Sequence, residues 1–150
     1  MASARIANGF FIHPARQGED SLHFHVIFTG LKETEISLRV AGELAHGLGG
    51  RLTLLVPEIV PYPLPLDCPP VQPDFTEQVL TRLVAAQEVE THVQVLLCRD
   101  RNQAIRQTLG PDSIVVIGIR KLWWNYRERF LASRLRLDGH HVIFLEGITN

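Results

Sequence analysis

Between Arg120 and Arg136 the chain sets Arg120, Lys121, Arg127, Arg129, Arg134 and Arg136 against a single acid, Glu128, so six cations less one anion give +5 locally within a net charge of −1. Trp123, Trp124 and Tyr126 lie among these cations. Guanidinium and ammonium groups neutralise phosphate and flat rings stack on bases. The segment therefore has the residue types for a phosphorylated small molecule or an acidic protein surface. The same mixture also makes a solvated helix face on which Arg stems pack beside Trp rings. A pI near 6.6 supplies no overall field for duplex DNA or an anionic membrane surface, so neither is an expected partner.

Other reactive residue types are scattered. Cys98 precedes Arg99 and a helix start, where positive potential can depress a thiol pKa, but a strand-end cysteine also serves as a small buried hydrophobe. Cys68 has no implied mate, and two cysteines in 150 residues suit a reducing cytosol better than a disulfide scaffold. His23 and His25 alternate along a strand and His140-His141 precede another. No Cys or carboxylate stands at a companion spacing, so no metal is expected. A nucleophile elbow, a Walker loop and an H-E-x-x-H segment are all missing, and nothing in the sequence calls for an enzyme.

The elements that would position these residues are legible as short apolar runs rich in β-branched and aromatic residues. Phe24 to Phe28, Leu52 to Val56, Val93 to Leu97, Ile114 to Ile117 and Val142 to Leu145 predict five strands. Several are apolar at successive positions, as expected when helices cover both faces of a parallel sheet. Four helices alternate with them. The first is expected to start at Thr34-Glu35, to present Ile36, Val40, Leu44 and Leu48 beside Ala41 and Ala45, and to stop at Gly49-Gly50. The second starts at Asp74 with Glu77 in a capping box, the third at Asp100 with Gln103, and the fourth at Asn125 with Glu128. The fourth carries Tyr126, Phe130, Leu131 and Leu135 and stops at Asp138-Gly139. Right-handed crossovers then make the fold α/β, a single doubly wound, Rossmann-like parallel sheet of five strands.

At 150 residues and 45% hydrophobic, one domain with a real core is expected. Its organisation reads as an N-terminal arm over 1–21, the α/β domain over 22–146 and a tail over 147–150. Residues 57–73 hold seven of the nine prolines and predict a stiff loop, whose Ile59, Val60, Tyr62, Leu64 and Leu66 either pack over a sheet edge or dock a partner. No export signal or membrane span is apparent, so a soluble, cytoplasmic protein is expected.

The run Ala41-Gly42-Glu43-Leu44-Ala45-His46-Gly47-Leu48-Gly49-Gly50-Arg51-Leu52-Thr53-Leu54-Leu55-Val56 resembles the first helix and second strand of the universal stress protein family. The likeness continues through Ile114-Val115-Val116-Ile117-Gly118 to the strand Val142 to Leu145. It implies strand order 3-2-1-4-5 and a homodimer formed through the last strand, Val142, Ile143, Phe144 and Leu145. It also implies a ligand crevice beyond the carboxyl ends of the strands, around Thr29, Gly30 and Val56.

Nucleotide-binding members of that family resemble one another in an Asp ending the first strand and in G-x-x-G, nine residues, then G-[ST]. Here Thr29 stands for the Asp, Gly118 matches the first glycine, Lys121 replaces the second, and Leu131-Ala132 falls at G-[ST]. A shift of one residue gives Ala132-Ser133, which restores the hydroxyl alone. Side chains in place of glycine stand where phosphate-facing backbone must come close. The resemblance therefore implies a stress-protein-like domain whose ATP binding is weak or absent and which acts through homodimerisation and protein contacts. The alternative is an ATP- or AMP-binding stress protein in which Lys121 and Arg120, with Ser133, supply the phosphate site as side chains.

Overall fold

Runs in which consecutive residues are apolar bury both faces of a strand, and such runs occupy the centre of the sheet. The computed structural model describes residues 5–6, 22–62, 65, 73–87, 89–120 and 126–145. Along them lie β1 (Arg5–Ile6), β2 (His23–Ile27), α1 (Leu31–Leu48), β3 (Arg51–Ile59), α2 (Pro73–Ala85), β4 (Thr91–Cys98), α3 (Arg101–Thr108), β5 (Ile114–Gly118), α4 (Tyr126–Leu137) and β6 (His141–Leu145). The sheet order is β1-β4-β3-β2-β5-β6. Its five longer strands are all parallel and follow the expected order 3-2-1-4-5, which makes the fold α/β and Rossmann-like. The sixth strand, β1, comes from the segment expected to be only an arm, and it pairs antiparallel with β4, Arg5 opposite Leu97.

Alternation along the strands divides the core in two. Phe24 and Val26 of β2 face one side with Leu38, Ala41 and Ala45 of α1 and Leu80 and Val84 of α2. Ile27, Leu55, Val115 and Ile117 face the other, against Ile105 of α3 and Leu131, Ala132 and Leu135 of α4. Each of these side chains contributes about 1 to 3 kcal/mol by leaving water.

Helix boundaries follow local chemistry, with corrections to the sequence reading. α1 starts at Leu31, after Gly30, and not at Thr34. Thr34 lies inside the helix, where its Oγ1 accepts the Thr29 N–H at 3.2 Å. The buried face of α1 is Thr34, Ser37, Leu38, Ala41, Gly42 and Ala45, so Leu44 and Leu48 are exposed and Ile36 and Val40 flank the contact. The helix ends in a Schellman turn: Gly49 adopts φ 66° and the Gly50 N–H donates to the Ala45 carbonyl at 2.8 Å. Asp100 caps α3 as expected, accepting the Gln103 N–H at 3.1 Å. α2 begins with Pro73 in the first helical position; the side chains of its expected capping box, like Asn125 before α4, lie outside those described. α4 buries Leu131 and Leu135 but exposes Tyr126 and Phe130, and it ends at Gly139, φ 92°.

The expected loop over 57–73 also starts later, because β3 continues through Pro57, Glu58 and Ile59 in register with Leu96, Leu97 and Cys98 of β4. Proline is tolerated there for a specific reason. The Leu55 carbonyl points toward β2, where it accepts the Phe28 N–H at 2.9 Å. Pro57, two residues on, presents its missing N–H to the same side after β2 has ended. Val60 is buried and donates its N–H to the Cys98 carbonyl at 3.0 Å, while Ile59 and Tyr62 are exposed. Leu64 and Leu66 lie outside the described residues. Among the described residues no helix is long and apolar enough to cross a membrane.

Candidate functional site

The strand order reverses between β2 and β5, and their carboxyl ends open the crevice that such sheets use for ligands. Thr29, Gly30, Gly118 and Arg120 line it, with a volume near 510 Å³. Of the residues singled out in the sequence, these four are brought together. Val56 and Ala132 are buried in the two core clusters and are not among the described lining residues. Ser133 lies on exposed α4 surface, its Oγ donating to the Arg129 carbonyl at 3.0 Å. Lys121, Trp123 and Trp124 lie outside the described residues.

Two contacts stitch the crevice shut at its base. Thr29 Oγ1 donates to the Gly118 carbonyl at 2.6 Å. Arg120 Nε donates to Glu33 Oε1, also at 2.6 Å. Glu33 is buried in the first turn of α1, where a carboxylate is favoured by the helix N-terminus. It thereby occupies both the positive helix end and the Arg120 cation that a phosphate would use. Gly30 has extended backbone, φ −171°, and a Cβ there would displace the Glu33 carboxylate from its place beside Arg120. Sequence reading places Glu33 in a crevice loop but not opposite Arg120, which stands 87 positions away.

A second crevice, near 340 Å³, adjoins the first across Thr29. Phe28, Pro57 and Ile59 supply apolar wall, and Arg101, Arg127 and Glu128 supply charge. Arg101, the first residue of α3, is only 7% exposed. Its Nη2 lies 3.6 Å from Glu128 Oε1, an ion pair longer than a hydrogen bond, and its Nη1 has no hydrogen-bond partner among the described residues. Burial, and then the neighbouring Arg127 charge, lower the proton affinity of Arg101. Burial raises that of Glu58 in the same crevice. Sequence reading places Arg101 in a loop at the strands' carboxyl ends but gives it no role, since an Arg after a helix cap ordinarily points to water.

The remaining candidates resolve individually. Burial, then Asp100, push the Cys98 thiol up, outweighing Arg101, so of the two sequence readings the small buried hydrophobe is the one the structure favours. His23 and His25 stack with ring centroids 4.2 Å apart, and His23 Nε2 meets Thr53 Oγ1 at 2.9 Å. His25 is 4% exposed with neither ring nitrogen bonded among the described residues, and burial lowers its pKa to about 3, His23 and His140 adding to the effect. Among the described residues no group of three or more His, Cys, Asp or Glu is arranged to hold a metal ion.

Comparison with protein family models, curated proteins and solved structures gives no match.

Proposed function

We propose that this chain is a universal-stress-protein-like α/β domain that does not hold ATP and acts in the cytoplasm through homodimerisation and protein contacts. The observation that carries the first half is the Arg120–Glu33 pair: one of the two cations on which the ATP or AMP alternative relies, Arg120, is already bound to a buried carboxylate, which also repels phosphate from the crevice.

The second half is supported by the outer edge of β6, the last strand of the sheet. His141 donates to the Ser113 carbonyl and the Leu145 carbonyl accepts from Ile119, so both face β5. Val142 and Phe144, of opposite parity, direct their N–H and C=O groups outward. Among the described residues no further strand pairs with this edge, and such an edge matches a two-fold copy of itself, because antiparallel pairing is self-complementary. On α4, Tyr126, Phe130 and Leu137 form an exposed apolar stripe on the side away from buried Leu131 and Leu135.

Light scattering behind a sizing column is expected to give the dimer mass, and titration calorimetry with ATP to give no saturable heat. Val142→Pro removes an outward N–H while leaving the β5 ladder intact, and it is expected to yield monomer. A monomer at every concentration, or a saturable ATP isotherm lost in Arg120→Ala, refutes the corresponding half.

A further inference from the structure

A guanidinium taken out of water retains its charge, and each of its donors left unbonded costs free energy comparable to a lost charge-assisted hydrogen bond. Arg101 is in that condition. It is carried inward because Asp100 caps α3 and fixes the helix start against the carboxyl end of β4. Its Nη1 is buried and unbonded among the described residues, and Glu128 approaches Nη2 no closer than 3.6 Å. Arg127 stands in the same crevice with a charge of the same sign close enough to disfavour the Arg101 cation. Arg101 thus has one carboxylate at ion-pair distance, Glu128, and a second guanidinium beside it, with an open volume near 340 Å³ bordered by both cations and by Glu58 and Glu128.

We propose that this second crevice binds a small molecule through one terminal oxyanion, a phosphomonoester or a carboxylate, held between Arg101 and Arg127. The oxyanion relieves the repulsion between the two cations, and a turn of the Arg101 guanidinium brings the buried, unbonded Nη1 to it as a donor. A planar fork of donors is suited to both ligand types, since each presents paired oxygens. The organic portion lies against Phe28, Pro57 and the exposed Ile59. Size and sign limit the ligand: Glu58 and Glu128 border the same space, so a polyphosphate would meet two carboxylates after its first anionic group was satisfied. The crevice adjoins that of the Arg120–Glu33 pair through Thr29 and Glu128 but does not include the pair, and this inference goes beyond the proposed homodimer and does not depend on it.

The test uses the full chain at constant low ionic strength, with inorganic phosphate and acetate as probes, followed by calorimetry and by the arginine Nε–Hε resonances in 1H–15N spectra. Saturable binding of either anion that shifts the Arg101 resonance is expected. Phosphate alone assigns a phosphomonoester, acetate alone a carboxylate, and both together a site that reads charge without regard to shape. Arg101→Lys weakens binding by about tenfold or more, through loss of the fork. Because a buried replacement can disturb folding, two milder variants carry equal weight. Arg127→Gln, on the exposed surface, weakens binding about fivefold, and Glu128→Gln strengthens it severalfold by releasing Arg101 from its competitor. The proposal is overturned if neither anion saturates, or if the affinity is the same in Arg127→Gln and Glu128→Gln as in the natural chain.

Discussion

Thr29 Oγ1 donates to the Gly118 carbonyl at 2.6 Å, and this bond joins the carboxyl ends of β2 and β5 where the strand order reverses. Both partners are at least partly shielded from water, so the bond has measurable worth. Thr29→Val, which keeps the shape and removes the hydroxyl, is expected to lower stability by about 1 kcal/mol. Urea denaturation read by circular dichroism checks this; an unchanged midpoint would show that water replaces the bond without cost.

His25 makes stability depend on pH. Its folded pKa of about 3 lies below the ordinary imidazole value of 6.5, so between those limits the unfolded chain binds a proton that the native chain does not. The contribution is fully present above pH 6.5 and is lost as pH falls, at about 1.4 kcal/mol per pH unit. His23 is shifted in the same direction, by burial first and then by Arg51 and His92. Glu58 acts in the opposite sense, because its raised pKa makes the native state the better proton acceptor. Comparing the natural chain with His25→Leu across pH 4.5 to 6.5 isolates the imidazole: the slope should fall by about one proton. Identical slopes in the two proteins would remove His25 as the cause.

Cys98 should resist alkylation. In a Cys68→Ser background, iodoacetamide at neutral pH is expected to label Cys98 only after denaturant is added, because the thiol is buried and its pKa is raised. Mass spectrometry of the intact protein reads the result, and rapid labelling of the folded chain would restore the reactive-thiol reading.

Gly50 is fixed by close approach. A Cβ there would stand 2.7 Å from the Phe24 ring and 2.9 Å from the Leu22 carbonyl, one a core side chain and the other backbone. Gly50→Ala is expected to cost about 1 to 3 kcal/mol, as overpacking does. Gly47→Ala, with nothing within 4 Å, should stabilise α1 by about 0.5 to 1 kcal/mol. Thermal melts of the two variants should therefore move in opposite directions.

The strands were readable because helices on both faces demand continuous apolar runs, and that demand acts residue by residue along Leu52 to Val56 or Ile114 to Ile117. Features made by distant pairing were not. β1 is a two-residue strand whose pairing with β4 spans most of the chain. At α1, Thr34 and Glu35 imitate a helix start, while the real boundary, Gly30, has no capping side chain to announce it. The regular row Ile36, Val40, Leu44 and Leu48 is less buried than the small and polar residues beside it, since close helix-to-sheet packing selects Ser37, Ala41 and Gly42 for size. At the site, Thr29, Gly30, Gly118 and Arg120 were found from their loops. The partners that decide their chemistry, Glu33 for Arg120 and the crevice around Arg101, depend on which side chains fold inward.

Because β3 outruns β2 from Val56 to Ile59, the sheet's upper rim is a staircase whose riser is about 13 Å tall. The hollow beside Arg101 is the space under that step. Its depth is thus a matter of unequal strand lengths, and remodelling the loops above would change who enters without altering how far down they can reach.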